Sequence, residues 1–291
     1  SLVQDVTSAR SALYYLGVML AAQMRGVPVA AIGQGVGPLR RRTIRALARV
    51  AFTRAALVDV RDRESAATLA ALGVRRPVRV GADLAFLLDP APPTQVQAIL
   101  ARYRLDRAGA RIGVAFRPWP GLPPVTAIGA VLRQFAREVD AAVAVFVFDR
   151  ARDRTLGYEL AAAAGGRVVE TTTPADLLGV VGAVDLVVGV RLHALVFAAA
   201  AGVPALGLAY DPKVAAFAAE QGLPVVPVDA SPEALAHALH AAWAARASLR
   251  ARLQGAVGRL RQAAADAVAA ALSAGGVALP DRQEFPHAGR K

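Results

Sequence analysis

No cysteine occurs among the 291 residues. A disulfide framework, a thiolate metal site and thiol redox chemistry are thereby excluded, and the compartment expected is a reducing cytoplasm. Aromatic residues are scarce as well, 5% of a chain whose hydrophobic fraction is 55% and rich in alanine. That balance suits many packed helices better than a sandwich of aromatic strands. No apolar run reaches the ~20 residues a membrane span needs; "ALVFAAAAGVPALGLAY" is interrupted by Gly202 and Pro204 and reads as a buried helix followed by a strand. Residues 1–10 lack a basic stretch followed by an apolar one, so no secretory signal is expected and the chain reads as soluble. There is no G-x-S-x-G elbow, no G-x-G-x-x-G and no phosphate loop ending in Gly-Lys-Ser/Thr. His237 and His240 stand three apart with no third ligand evident, so neither a metal nor another cofactor is expected.

Acidic groups are also in deficit, 22 against 34 basic ones, for a formal net charge of +12. Such an excess concentrates anions around the protein: nucleic acid, phosphorylated small molecules or an acidic leaflet. The arginines are scattered except in "RRRTIR" (Arg40–Arg45), and no cluster is interleaved with aromatics. Nucleic acid is therefore not an expected partner. The arginine run should begin a helix whose basic face could rest on an anionic leaflet, or simply be solvated.

What is present is an alternation of short apolar segments with helical patterns, the signature of parallel sheets covered by helices. Nine strands are expected, at 27–33, 56–60, 77–81, 111–116, 141–148, 166–170, 184–189, 203–209 and 223–228. The prolines of "LLDPAPPT" (87–94) divide the chain near residue 90, with a helix over about 94–103 that could belong to either side. An N-terminal domain over 1–90, a C-terminal domain over 91–272 and a mobile tail over 273–291 follow. Three strands are few for a doubly wound domain, so the first domain is expected to be incomplete.

The polar residues inside "VVGVRLHALVFAAAAGVPALGLAYDPKV" (187–214) carry the functional signal. Arg191 and His193 fall at the turn between a buried strand and the next helix, the end of a parallel sheet where ligands bind. A helix N-terminus there favours an anion, and a guanidinium adds a fork of donors. The alternative is that Arg191 pairs with Asp185 and His193 merely caps the helix. Asp211 and Lys213 follow the adjacent strand and should lie near; their alternative is an Asp-Pro helix start with a solvated lysine. Arg61 after "ALVDV", Arg117 after "IGVAF", Asp83 after "VRV" and Gln34 in "GQGVGP" repeat the strand-end pattern. Asp149 and Asp153 after "AVFVF" could bind sugar hydroxyls or face solvent.

Taken in order, "SLVQDVTSARSALYYLG", "GQGVGPLRRR", "VDVRDRESAATLAALGV", "VGADLAF", "GVAFRPW" and "VVGVRLHALVFAAAAGVPALGLAYDPKV" resemble the polysaccharide pyruvyl transferase family, in particular the bacterial cell-wall type called CsaB. The likeness covers residues 1 to about 245. It implies two Rossmann-like domains in an arrangement similar to GT-B glycosyltransferases. It also implies phosphoenolpyruvate as donor and a glycan or lipid-linked oligosaccharide acceptor. In the cell-wall type the sugar is N-acetylmannosamine, and the pyruvate ketal anchors surface-layer-homology domains at the envelope. By position the resemblance implies that Arg61, Arg191, His193 and Lys213 line the site, with the enzyme in the cytoplasm or at the inner face of the membrane. The family starts with a strand, a glycine-rich loop and further elements that would precede Ser1, which again leads to the expectation of a truncated N-terminal domain. The rival readings are a GT-B glycosyltransferase using a nucleotide sugar and a non-catalytic module that binds envelope glycans.

Overall fold

The computed structural model describes residues 2–6, 8–106 and 109–276. They form two compact units, one comprising residues up to Leu84 together with those from Leu260 on, the other Ala85–Arg259.

Unit 1 runs α1 (Ala9–Met24), β1 (Ala30–Gln34), α2 (Arg42–Arg54), β2 (Leu57–Val60), α3 (Arg63–Ala71) and β3 (Arg79–Val80). Its strands pair in parallel in the order β1-β2-β3. Helix α2 buries Ile44, Ala48, Ala51 and Phe52, the i, i+4, i+7, i+8 stripe of an amphipathic helix, in a core shared with Val58, Val60 and Leu69. Arg41 and Arg42 stand at its N-terminus, where cations oppose the helix dipole. Asp5 offsets this: its carboxylate accepts the backbone N–H groups of Arg40 at 2.8 Å and Arg41 at 2.7 Å. The side chains of Arg40, Arg41, Arg42 and Arg45 are exposed, as the sequence leads one to expect of a basic face.

Unit 2 contains α4 (Pro93–Arg102), β4 (Ala110–Ala115), α5 (Val125–Glu138), β5 (Ala141–Phe146), α6 (Arg150–Ala164), β6 (Arg167–Val169), α7 (Pro174–Gly182), β7 (Leu186–Gly189), α8 (Leu192–Ala200), β8 (Ala205–Ala209), α9 (Pro212–Gln221), β9 (Val225–Pro227) and α10 (Pro232–Ala244). The sheet is parallel throughout, ordered β6-β5-β4-β7-β8-β9. Central strands are buried on both faces, which is why β7 and β8 read as nearly continuous apolar runs. Ile128, Leu132, Phe135 and Ala136 of α5 pack on Ile112, Val114, Val143 and Val145. Full burial of each large apolar side chain contributes about 1.5–3 kcal/mol. Close approach of α5 to α6 requires glycine at 129, where a Cβ would lie 2.2 Å from that of Ala163.

All nine expected strands are present, most of them with trimmed ends; β1 runs on to Gln34 and β4 begins at Ala110, each one residue beyond the expected bound. The division differs from the expected one near residue 90. Ala91 is buried and donates its N–H to Ala175 O at 2.9 Å, so the proline-rich stretch is anchored to unit 2 and the boundary falls at Leu84/Ala85. The last helix, α11 (Arg246–Ala274), is the second departure: from Leu260 on it belongs with unit 1, whereas a C-terminal domain over 91–272 would hold it almost whole. Periodicity reports that a helix has an apolar face, here including Ala264 and Ala267, but not which core receives it. Of the expected tail, residues 277–291, His287 among them, lie outside the described residues, and Ser273 and Ala274 close α11. Among the described residues no helix is long and apolar enough to cross a membrane.

Candidate functional site

The eight residues singled out from the sequence fall into two sets, one at the carboxyl edge of each sheet. In unit 1 the set is Gln34, Arg61 and Asp83. Gln34 ends β1 and turns its Nε2 to Gly35 O at 2.8 Å; its own carbonyl accepts the N–H of Arg61 at 3.3 Å. Arg61 follows β2 with a side chain only 7% exposed, donating Nε to Asp62 at 3.0 Å and an NH1 group to Asp83 at 3.2 Å. Asp62 in turn caps α3 through the Ser65 N–H at 2.7 Å, and Ser65 Oγ accepts the Val36 N–H at 2.9 Å. Arg61 thus ties the end of β2 to the turn after β3, and its charge is met by two carboxylates.

Beneath that edge lies Asp59, 1% exposed on β2. Burial pushes its carboxyl above the usual carboxylate range, against the opposing pull of Arg79, whose Nε is 3.7 Å away, and a backbone hydrogen bond from Gly33. Oδ1 has no hydrogen-bond partner among the described residues.

In unit 2 the turns after β4, β7 and β8 supply Arg117, then Arg191 and His193, then Asp211 and Lys213. Because β7 lies between β4 and β8, its turn is central in this edge. Arg191 is the N-cap residue of α8, and His193 sits exposed in the first turn. The free N–H groups and positive dipole end of that turn suit an anion. Arg191 does not pair with Asp185, which instead accepts the Arg111 N–H at 2.9 Å. Its NH2 donates to Asp153, with Asp149 Oδ2 at 3.8 Å, while Nε is buried without a hydrogen-bond partner among the described residues. Asp153 also accepts the Asp149 N–H at 3.0 Å. Asp149 caps α6 through the Ala151 N–H at 3.1 Å. The expectation that these two aspartates bind sugar hydroxyls or face solvent is corrected for Asp153: its side chain is 2% exposed and holds Arg191.

Asp211 caps α9, accepting the Lys213 N–H at 3.1 Å, as an Asp-Pro helix start should. The lysine is not solvated, however: Nζ returns to Asp211 Oδ2 at 2.9 Å and lies 5.7 Å from the Tyr210 ring centroid. Arg117 is set against aromatic rings, 5.3 Å from the centroid of Trp119 and 5.6 Å from that of Tyr210.

Trp119, Tyr210 and the role of Asp153 were not read from the sequence. A signal for the rings existed, since a chain with only two tryptophans and five tyrosines places one of each at a strand-end turn beside a cation. Asp153 gave no such signal, because its link to Arg191 joins residues 38 apart. Among the described residues no cluster of three or more His, Asp or Glu could hold a metal ion. His240 instead lies 3.0 Å from Glu138.

The polysaccharide pyruvyl transferase family matches residues 3–212 of this sequence, a span that includes seven of the eight chosen residues and stops one short of Lys213. The chain belongs to that family. It is a transferase family acting on polysaccharide. A search of curated proteins finds no match. Among solved structures, the chain is similar to a protein assigned as UDP-N-acetylglucosamine 2-epimerase from Listeria monocytogenes, with TM-score 0.64 and 16% identity over 93% of this chain and 72% of the other. It is also similar to Anabaena HepE in complex with UDP and glucose, TM-score 0.59, 16% identity, 89% and 75% covered. The UDP-GlcNAc 2-epimerase of Neisseria meningitidis, bound to UDP-GlcNAc, gives TM-score 0.56 and 12% identity over 90% and 73%. At such identities the likeness shows the fold alone: Rossmann-like α/β units of the GT-B class.

Proposed function

We propose that this chain transfers a pyruvyl group from phosphoenolpyruvate to a sugar of a secondary cell-wall polysaccharide or its lipid-linked precursor, in the manner of the CsaB type, with N-acetylmannosamine as the acceptor sugar. One observation carries the reading: the turns after three adjacent strands of one sheet hold Arg117, Arg191, His193 and Lys213 around a helix N-terminus. Phosphoenolpyruvate presents a carboxylate and a phosphate, and such an edge offers fixed donors for both.

In this reading His193 transfers the protons. C3 of the enol takes a proton and becomes a methyl group, and one sugar hydroxyl adds to C2 as its own proton is removed. The C–O bond to phosphate then breaks and the second hydroxyl closes the ring. Of the two hydroxyl protons, one balances that delivered to C3 and the other leaves with inorganic phosphate. An imidazole, with an ordinary pKa of ~6.5, can both donate and recover a proton near neutrality. This route uses no metal or other cofactor. Lys213 and Arg191 hold the anion from the sheet edge and Asp211 fixes the lysine; Arg61, Asp83 and Gln34, at the edge of the unit 1 sheet, are proposed as substrate-binding residues. The exposed arginines at the start of α2 would keep the enzyme at an anionic leaflet, on the cytoplasmic side where lipid-linked acceptors are assembled.

The rival is sugar transfer from a nucleoside diphosphate sugar, favoured by UDP in the similar structures. Phosphate release from phosphoenolpyruvate and UDP release from UDP-GlcNAc, each with a mannosamine-containing lipid-linked acceptor, separate the two. The proposal expects acceptor-dependent phosphate and no UDP. The opposite pattern supports the rival, and turnover of neither donor supports a binding module.

A further inference from the structure

The cations at the edge of the unit 2 sheet are held in two electrostatically different ways. Arg191 donates to Asp153 and has Asp149 at 3.8 Å, and Lys213 donates to Asp211 at 2.9 Å, so both meet carboxylates of their own. Arg117 forms no ion pair among the described residues. Its guanidinium lies over two aromatic rings, 5.3 Å from the centroid of Trp119 and 5.6 Å from that of Tyr210, and the rings themselves stand 4.3 Å apart, tilted by 52°. Nε of Arg117 is buried without a hydrogen-bond partner among the described residues.

We infer that Trp119 and Tyr210 are positioning residues that hold Arg117 as the primary anion contact of this edge. An aromatic face attracts a guanidinium through its quadrupole but has no net charge, so it fixes the group and leaves its positive charge undiminished for a ligand. A carboxylate would fix it equally well and cancel the charge. A buried donor without an acceptor is costly to maintain, and a ligand oxygen would relieve it. Planar guanidinium donors match the two oxygens of a carboxylate or phosphate group. The aromatic cradle therefore divides the work at this edge: the aspartate-paired Arg191 and Lys213 meet the anion with charge partly offset, and Arg117 contributes the unneutralised charge. Tyr210 also precedes Asp211 and Lys213 in the chain, so one turn supplies the ring under Arg117 and the carboxylate on Lys213.

The inference rests on the reading of this edge as the phosphoenolpyruvate site, and the test keeps the two apart. Phosphoenolpyruvate, inorganic phosphate and UDP are titrated calorimetrically into the wild type, Trp119→Leu, Trp119→Phe, Tyr210→Leu and Tyr210→Phe, with folding checked by thermal melting. Loss of either ring is expected to weaken phosphoenolpyruvate binding about five- to thirtyfold, while each phenylalanine variant, which keeps a ring, stays within about threefold of the wild type. Equal affinity of the leucine variants and the wild type would overturn the inference, as would phenylalanine variants that lose as much as leucine; if one leucine variant fails to fold, the pair at the other ring decides. Should the wild type bind UDP or phosphate but not phosphoenolpyruvate, the donor reading fails while the cradle is judged on the anion that binds. A wild type that binds none of the three overturns both.

Discussion

Replacing Asp153 by alanine should unfold unit 2 at a markedly lower temperature. The carboxylate is 2% exposed; it accepts from Arg191, 15% exposed, and from the Asp149 N–H at 3.0 Å. Removing it leaves Arg191 with Asp149 at 3.8 Å and strips a backbone donor of its acceptor. Breaking a buried pair from one side costs about 3–5 kcal/mol, which the partial exposure of Arg191 reduces to about 2–4 kcal/mol. At roughly 2–4 °C per kcal/mol for a unit of this size, Tm should fall by about 4–16 °C. Calorimetry or circular dichroism on the wild type, Asp153→Ala, Arg191→Met and the double variant closes a double-mutant cycle. The double variant should recover a good part of the loss, because it no longer buries an unpaired charge. A fall below about 2 °C for Asp153→Ala, or strict additivity in the double variant, would refute the assignment of Asp153 as the partner that fixes Arg191.

His193→Ala should lower kcat by about 10²–10⁴ while phosphoenolpyruvate still binds in calorimetry; an effect below tenfold demotes the imidazole to a helix-start residue. Asp59→Asn should stabilise unit 1 at neutral pH. The folded-state pKa of Asp59 is raised, so its ionisation opposes folding, and wild-type stability should decline as pH rises from the ordinary carboxylate range through the raised value. Urea melts from pH 4 to 8 that are parallel for the two proteins would contradict this. Gly129→Ala forces a Cβ to 2.2 Å from that of Ala163 and should cost about 1–3 kcal/mol in a urea titration. Binding to anionic vesicles, but not neutral ones, should weaken as salt rises and on replacing Arg40, Arg41, Arg42 and Arg45 by glutamine. Indifference to salt or to the substitutions tells against a basic docking face.

The strands were legible because buried parallel β-structure writes itself as short runs such as "AAVAVFVF" and "VDLVVG" between helical stretches, a local pattern. Strand-end turns were legible for the same reason, which is how Arg61, Arg117, Arg191 and Lys213 could be picked out. What these cations touch was not, since pairing is set by strand order. Arg191 reaches Asp153 past the end of β4, and Arg117 meets Tyr210 because β4 and β8 flank β7. The stretch 87–94 reads as a linker by its prolines, yet the burial of Ala91 and its backbone hydrogen bond to Ala175 anchor it to unit 2. Likewise the apolar face of α11 is visible in the sequence, but not that the helix passes from one unit to the other at Leu260.

The central claim is pyruvyl transfer, and the most direct measurement follows the carbon itself. Phosphoenolpyruvate carrying ¹³C at C2 is incubated with the protein and a lipid-linked acceptor containing N-acetylmannosamine, and the product is examined by NMR. The account predicts that the label appears as a ketal carbon bonded to two sugar oxygens, one inorganic phosphate being released for each ketal formed. Label that stays in phosphoenolpyruvate, or is recovered as free pyruvate whether or not acceptor is present, would contradict it.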